Sequence, residues 1–116
     1  MNTQKNHEIS LASAIEMTRR YRAHQPEGFA RSESFSKEAI QKLINAKGCA
    51  SLRIYYGRSE NMEAHAILVA ANAEGKDILP ATMANSGSDE EEPIILEDAW
   101  RCPPLCPDEA SPLNNG

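Results

Sequence analysis

Three cysteines (Cys49, Cys102 and Cys106) and three histidines (His7, His24 and His65) are the side chains of this chain whose types could hold a metal, exchange a disulfide or move a proton. Two of the cysteines lie in the run C-P-P-L-C-P, directly beyond the single tryptophan, Trp100. An extended polyproline segment rises about 3.1 Å per residue, which sets Cys102 and Cys106 roughly 12 Å apart. A disulfide requires α-carbons within about 7 Å, so the two sulfurs can bond only where the Pro-Pro-Leu segment reverses, as a cis proline would allow. A zinc site needs about four ligands and favours a shorter cysteine spacing, so Cys49 and a histidine such as His65 would have to complete it. The leading expectation is a tail without chemistry and no cofactor, with a thiol-redox pair or a zinc site as the alternatives.

Other candidates are weaker. His65 alternates with Ala64 and Ala66 on an expected strand, where a general base would need both a partner and a cleft. His7 falls in a polar start, and His24 closes an expected helix, near its negative end. Arg19, Arg20, Arg22 and Arg31 could meet phosphate, and Tyr21, Tyr55 and Tyr56 could stack on bases. The net charge of −5 and the lack of a nucleic-acid motif argue against that partner. The acidic run Asp89 to Glu92 lacks the spacing and glycine of a calcium loop. No phosphate-binding loop, nucleophile elbow or H-E-x-x-H run is present, so no catalytic residue is assigned.

The elements that must position these residues come from a chain of 116 residues, room for one domain with a small core. Only two Phe, three Tyr and one Trp are present, so burial relies on aliphatic residues, and a homodimer or protein partner is expected. No apolar stretch is long enough for a membrane span or a signal peptide, and the odd cysteine count argues against a disulfide framework. A cytoplasmic setting is expected. Charge is divided: residues 1–58 carry ten basic and five acidic side chains, residues 59–116 two and twelve. That asymmetry suits complementary surfaces.

Capping signals and apolar spacing predict helices over about residues 10–24, with Ser10 as cap, and 36–47, capped by Ser36 with Phe35 packed on Ile40. Alternation predicts a half-buried strand over 49–57, a more buried antiparallel strand over 62–71, and a short third at Ile78–Leu79 cut off by Pro80. The expected core is Ile15, Ile40, Leu43, Ile44, Leu52, Ile54, Ile67, Leu68 and Val69. The expected organisation is one domain over 9–80, an acidic linker over 81–93, a docking segment over 94–102 that buries Trp100, and a Pro-rich tail over 103–116 without an ordered element. The fold class is α+β: two N-terminal helices packed on a small antiparallel sheet, with a mostly irregular C-terminal tail.

The segments I-S-L-A-S-A, L-R-I-Y-Y-G and I-L-V-A-A-N-A-E-G-K-D, with the C-P-P-L-C tail, resemble a group of small uncharacterised bacterial proteins. The likeness spans roughly residues 9–106 and implies a shared fold and a bacterial cytoplasmic setting. It brings no activity and no catalytic residue. The expected function is therefore that of a small interaction or adaptor protein, whose exposed sheet edge or basic helical face, with Arg19, Arg20, Arg22 and Trp100 as candidate contacts, receives a partner.

Overall fold

The computed structural model describes residues 5–81, 92–108 and 110–115, a mixed α+β domain with antiparallel sheets of two and three strands. The elements run α1 (Leu11–Ala23), β1 (Ser32–Ser34), α2 (Lys37–Ile44), β2 (Cys49–Arg58), β3 (Ala64–Asn72), β4 (Asp77–Ile78), β5 (Trp100–Cys102) and α3 (Pro112–Asn115). Most of the expected acidic linker, residues 82–91, lies outside the described residues.

Both long helices begin where their caps dictate. Ser10 Oγ accepts from Ser13 N at 3.0 Å and Ser36 Oγ from Ala39 N at 3.1 Å, each satisfying an otherwise unpaired first-turn amide. Phe35 and Ile40 flank the second cap and both pack on the core. Beyond α2, Asn45 closes the last turn, and Gly48 at φ +83° turns the chain into β2. The N-A-E-G-K-D segment reverses as its composition requires: the Asn72 side-chain oxygen accepts from Glu74 N and Lys76 N, both at 2.9 Å.

The larger sheet has the order β2-β3-β4, and β2 and β3 pair antiparallel with Ile54 opposite Leu68. Four different pieces of chain cover the second edge of β3. Ala64 N donates to Gly28 O at 2.7 Å, Ala66 N to the Glu33 carboxylate at 3.1 Å, and Leu68 N to Leu96 O at 2.9 Å. Ala70 pairs with Ile78, and Asn72 N donates to Lys76 O at 2.8 Å. Such cover satisfies the amides of a strand that is buried on both faces. Gly28 is fixed by this arrangement, because it sits at φ +88° and a Cβ there would come within 2.7 Å of Met62 O.

The core gathers where α2 meets β3, around Leu43, Leu68 and Ala70, with Val69 and Ala71 buried on the strand's other face. Ile15, Ile40 and Ile67 are half-buried, while Ile44, Leu52 and Ile54 are exposed rather than core. Leu52 and Ile54 do share the face of Leu68 and Ala70. They stay in solvent on β2, the edge strand of the sheet.

The second sheet is a ribbon of β1 and β5, with Ser32 opposite Cys102 and Ser34 opposite Trp100. Trp100 does not bury as expected: it is 54% exposed, at the open end of the ribbon and facing a small serine that offers no cover. The tail also differs from expectation. Asp108 organises a turn by accepting from Ala110 N at 2.8 Å, and Pro112 opens the short helix α3, its ring presetting the first helical φ. That helix packs against α1, with Arg22 Nη1 donating to Leu113 O at 2.7 Å.

Candidate interaction surface

The side of β2 facing away from β3 has no partner among the described residues. In an antiparallel ladder, backbone groups alternate in direction along the strand. Because Ala64, Ala66, Leu68 and Asn72 turn their amides away from β2, it is the intervening residues of β3 that bond it. Their partners in β2 are Ser51, Arg53, Tyr55 and Gly57, which leaves Leu52, Ile54 and Tyr56 with N–H and C=O groups pointing outward. The same three residues carry exposed apolar side chains, 39%, 49% and 72% exposed respectively. A row of free backbone groups flanked by apolar side chains is a template for another strand.

Between Ile54 and Tyr56 on the sheet and Met17 and Tyr21 on α1 runs a mostly apolar groove of about 430 Å³, lined also by Phe29. Tyr21 orients one wall by donating to Ala30 O at 2.7 Å, and burial pushes its phenol above the usual range. Arg58 lies 5.4 Å from the Phe29 ring centroid in cation–π geometry and donates to Met62 O at 2.6 Å. Gly57 keeps the hairpin closed where a Cβ would come within 2.8 Å of Ile67 Cδ1.

On the opposite face of β2, Arg53 and Tyr55 both donate to the carboxylate of Asp77. The Tyr55 hydrogen bond, with the Arg53 guanidinium behind it, holds the Asp77 carboxyl below the usual carboxylate range. The same bond raises Tyr55, and the hydrogen bond and charge of Asp77 raise Arg53. The cluster ties β2 to the start of β4 and uses the polar groups of this face internally.

The expected metal candidates do not converge. Cys102 is fully buried and joined to Cys106 as a disulfide, in a turn closed by Leu105 N donating to Arg101 O at 2.9 Å. Cys49 is a free thiol packed beside the core with Sγ 3.4 Å from Ser51 O. His65 Nε2 lies 3.7 Å from Glu63, and its buried Nδ1 lies 3.2 Å from Glu97 without a hydrogen-bonding angle. Among the described residues no cluster of three or more His, Cys, Asp or Glu side chains could hold a metal ion.

Nor does the basic face form a single patch. Arg19 and Arg20 are exposed, whereas Arg22 is half-buried against the tail helix. Arg31 is exposed and its backbone N donates to Cys102 O at 2.8 Å. His7 is exposed, and the His24 backbone closes α1. No protein family, curated protein or solved structure matches this chain. No helix among the described residues is long and apolar enough to cross a membrane.

Glu33 and Arg101, which hold the ribbon to the sheet, went unread in the sequence. Each sits in a three-residue strand too short for alternation to register, and they are 68 positions apart.

Proposed function

We propose that this chain is a protein-interaction module that receives a partner strand along the free edge of β2. The observation that carries this reading is the coincidence, at Leu52, Ile54 and Tyr56, of outward backbone groups with exposed apolar side chains. In strand addition the backbone supplies affinity and alternate side-chain positions supply selectivity. The apolar groove beside Ile54 and Tyr56 offers a place for the partner's own side chains. This reading favours the sheet edge over the basic helical face, where Arg22 already holds the tail helix.

The proposed role is non-catalytic. The β1–β5 ribbon is held by its backbone ladder and by Glu33 and Arg101, while the bond between Cys102 and Cys106 closes only the turn that follows β5.

Affinity capture tests the proposal, comparing the wild-type chain with Ile54→Lys and with Lys42→Glu on the exposed face of α2. Proteins retained by the wild type and by Lys42→Glu, and lost by Ile54→Lys, are the expected result. Retention that is identical for all three chains overturns it.

A further inference from the structure

We propose that Cys102 and Cys106 form a reversible exchange site for small thiols of the glutathione class, in which Cys106 carries the mixed disulfide and Cys102 is the resolving sulfur. The site is independent of the β2 edge. It stands on a tight turn: Leu105 N donates to Arg101 O at 2.9 Å, and the α-carbons of Cys102 and Cys106 lie 4.5 Å apart, as a disulfide requires. Arg31 N, donating to Cys102 O at 2.8 Å, ties the start of the turn to the chain entering β1. These backbone bonds keep the two sulfurs neighbours whether or not they are joined.

The two cysteines differ in access, and that difference assigns their roles. Cys102 is fully enclosed, opposite Ser32 in the ribbon and with Asn114 of α3 beside it, whereas Cys106 is exposed. An incoming thiolate therefore reaches the Cys106 sulfur. It bonds there, the bond between Cys106 and Cys102 breaks, and the electron pair leaves on Cys102, which takes up a proton to become a thiol. A second thiolate then bonds the sulfur of the attached small thiol, and the electron pair leaves on Cys106, which is protonated in turn. Two small thiols have become their disulfide, and their two protons and two electrons reside on the protein thiols. In the reverse direction the Cys102 thiolate attacks the Cys106 sulfur of the mixed disulfide, expels the small thiol and closes the ring.

The tail helix provides for the reduced state. Asn114 Oδ1 lies 3.6 Å from the Cys102 sulfur, within reach of a weak S–H donor. A disulfide sulfur has no proton to give, so this acceptor is used only when Cys102 is a thiol. The β1–β5 ladder and the pair of Glu33 with Arg101 hold the ribbon in both states. Cys49 stands outside the exchange, half-buried beside the core at the start of β2.

Peptide mapping by mass spectrometry tests the site on the folded full chain, equilibrated with reduced and oxidised glutathione and quenched with acid. The pair should pass between disulfide and dithiol as the glutathione ratio changes. Glutathione should be found on Cys106, and at least about a hundredfold less of it on Cys102. Cys102→Ala removes the resolving sulfur and should accumulate the mixed disulfide on Cys106, whereas Cys106→Ala should leave Cys102 almost unmodified. Circular dichroism shows whether each variant is folded, and should either unfold, the position of glutathione on the wild-type chain decides the roles by itself. Asn114→Ala should move the equilibrium about threefold towards the disulfide.

A pair that stays oxidised in excess reduced glutathione, or stays reduced in excess oxidised glutathione, overturns the exchange site. Glutathione on Cys102 as readily as on Cys106 overturns the assignment of roles. An equilibrium unmoved by Asn114→Ala overturns the part given to the tail helix.

Discussion

Arg101 Nη1 lies 2.8 Å from Glu33 Oε2, joining two residues that face each other across the β1–β5 ladder. Neither belongs to the larger sheet, yet both reach it. Glu33 accepts from Ala66 N, and Arg101 donates to Ala64 O at 2.5 Å, with Gly28 O 3.5 Å from its second nitrogen. One half-buried ion pair therefore satisfies the edge of β3 and anchors the ribbon to it. Removing Glu33 leaves the Arg101 charge without its carboxylate and the Ala66 amide without its acceptor. Glu33→Ala should lower stability by about 1–3 kcal/mol in urea unfolding, and Glu33→Gln, which keeps an acceptor for Ala66, should cost less. A double-mutant cycle with Arg101→Ala should show clear non-additivity.

The position of the core gives a second expectation. Leu43 is almost completely enclosed between α2 and β3, so Leu43→Ala should cost about 2–5 kcal/mol. Trp100, at the open end of the ribbon, should behave as a surface residue, and Trp100→Ala should fall within about 0.5 kcal/mol of the wild type. Thermal unfolding of the two variants side by side checks both values.

Local signals explain how much of this was legible in the sequence. Ser10 and Ser36 cap helices where expected, and the alternation of Cys49 to Tyr56 and the apolar run around Leu68 mark the hairpin. Burial was misread at Leu52 and Ile54 because alternation identifies which residues share a face but not whether a helix covers that part of the sheet. The β1–β5 ribbon could not be read, since pairing Glu33 with Arg101 is a long-range event without local periodicity. Of the candidate site, the apolar face of β2 was visible in the sequence, but its place at the sheet edge was not.

Asp77 makes stability depend on pH in the acid range. Its folded-state pKa is depressed, chiefly by the Tyr55 hydroxyl and then by Arg53, so its contribution is present above the ordinary carboxylate range and is lost as pH falls through the folded value. Asp77→Asn should therefore be less stable than the wild type at neutral pH. The difference between the two melting temperatures should shrink steadily as the solution is acidified below the ordinary range. A difference that stays constant down to strongly acid pH would mean that the carboxylate charge contributes nothing.

The tail should matter modestly to α1. Truncation after Pro107 removes α3, the Arg22 bond to Leu113 O and the 3.6 Å approach of Asn114 to the Cys102 sulfur. The loss of a charged hydrogen bond at a partly exposed site corresponds to about 0.5–1.5 kcal/mol, or a fall of a few degrees in melting temperature. An unchanged melting temperature would show that α1 holds its place without the tail helix.

Salt separates the two ways in which this chain could associate. Its halves carry opposite charge, and an interface built on that asymmetry would weaken steeply as ionic strength rises, because exposed charges are screened within about 10 Å at 0.1 M. The β2 edge instead offers Leu52, Ile54 and Tyr56, with Arg53 and Asp77 already joined within each chain. Burial of such apolar surface is not screened, and moderate salt does not weaken it. Association through β2 should therefore change by less than about threefold between roughly 50 and 500 mM sodium chloride, as measured by sedimentation. A tenfold or greater loss over that range would place the contact on the charged surfaces, with the apolar edge left uncovered.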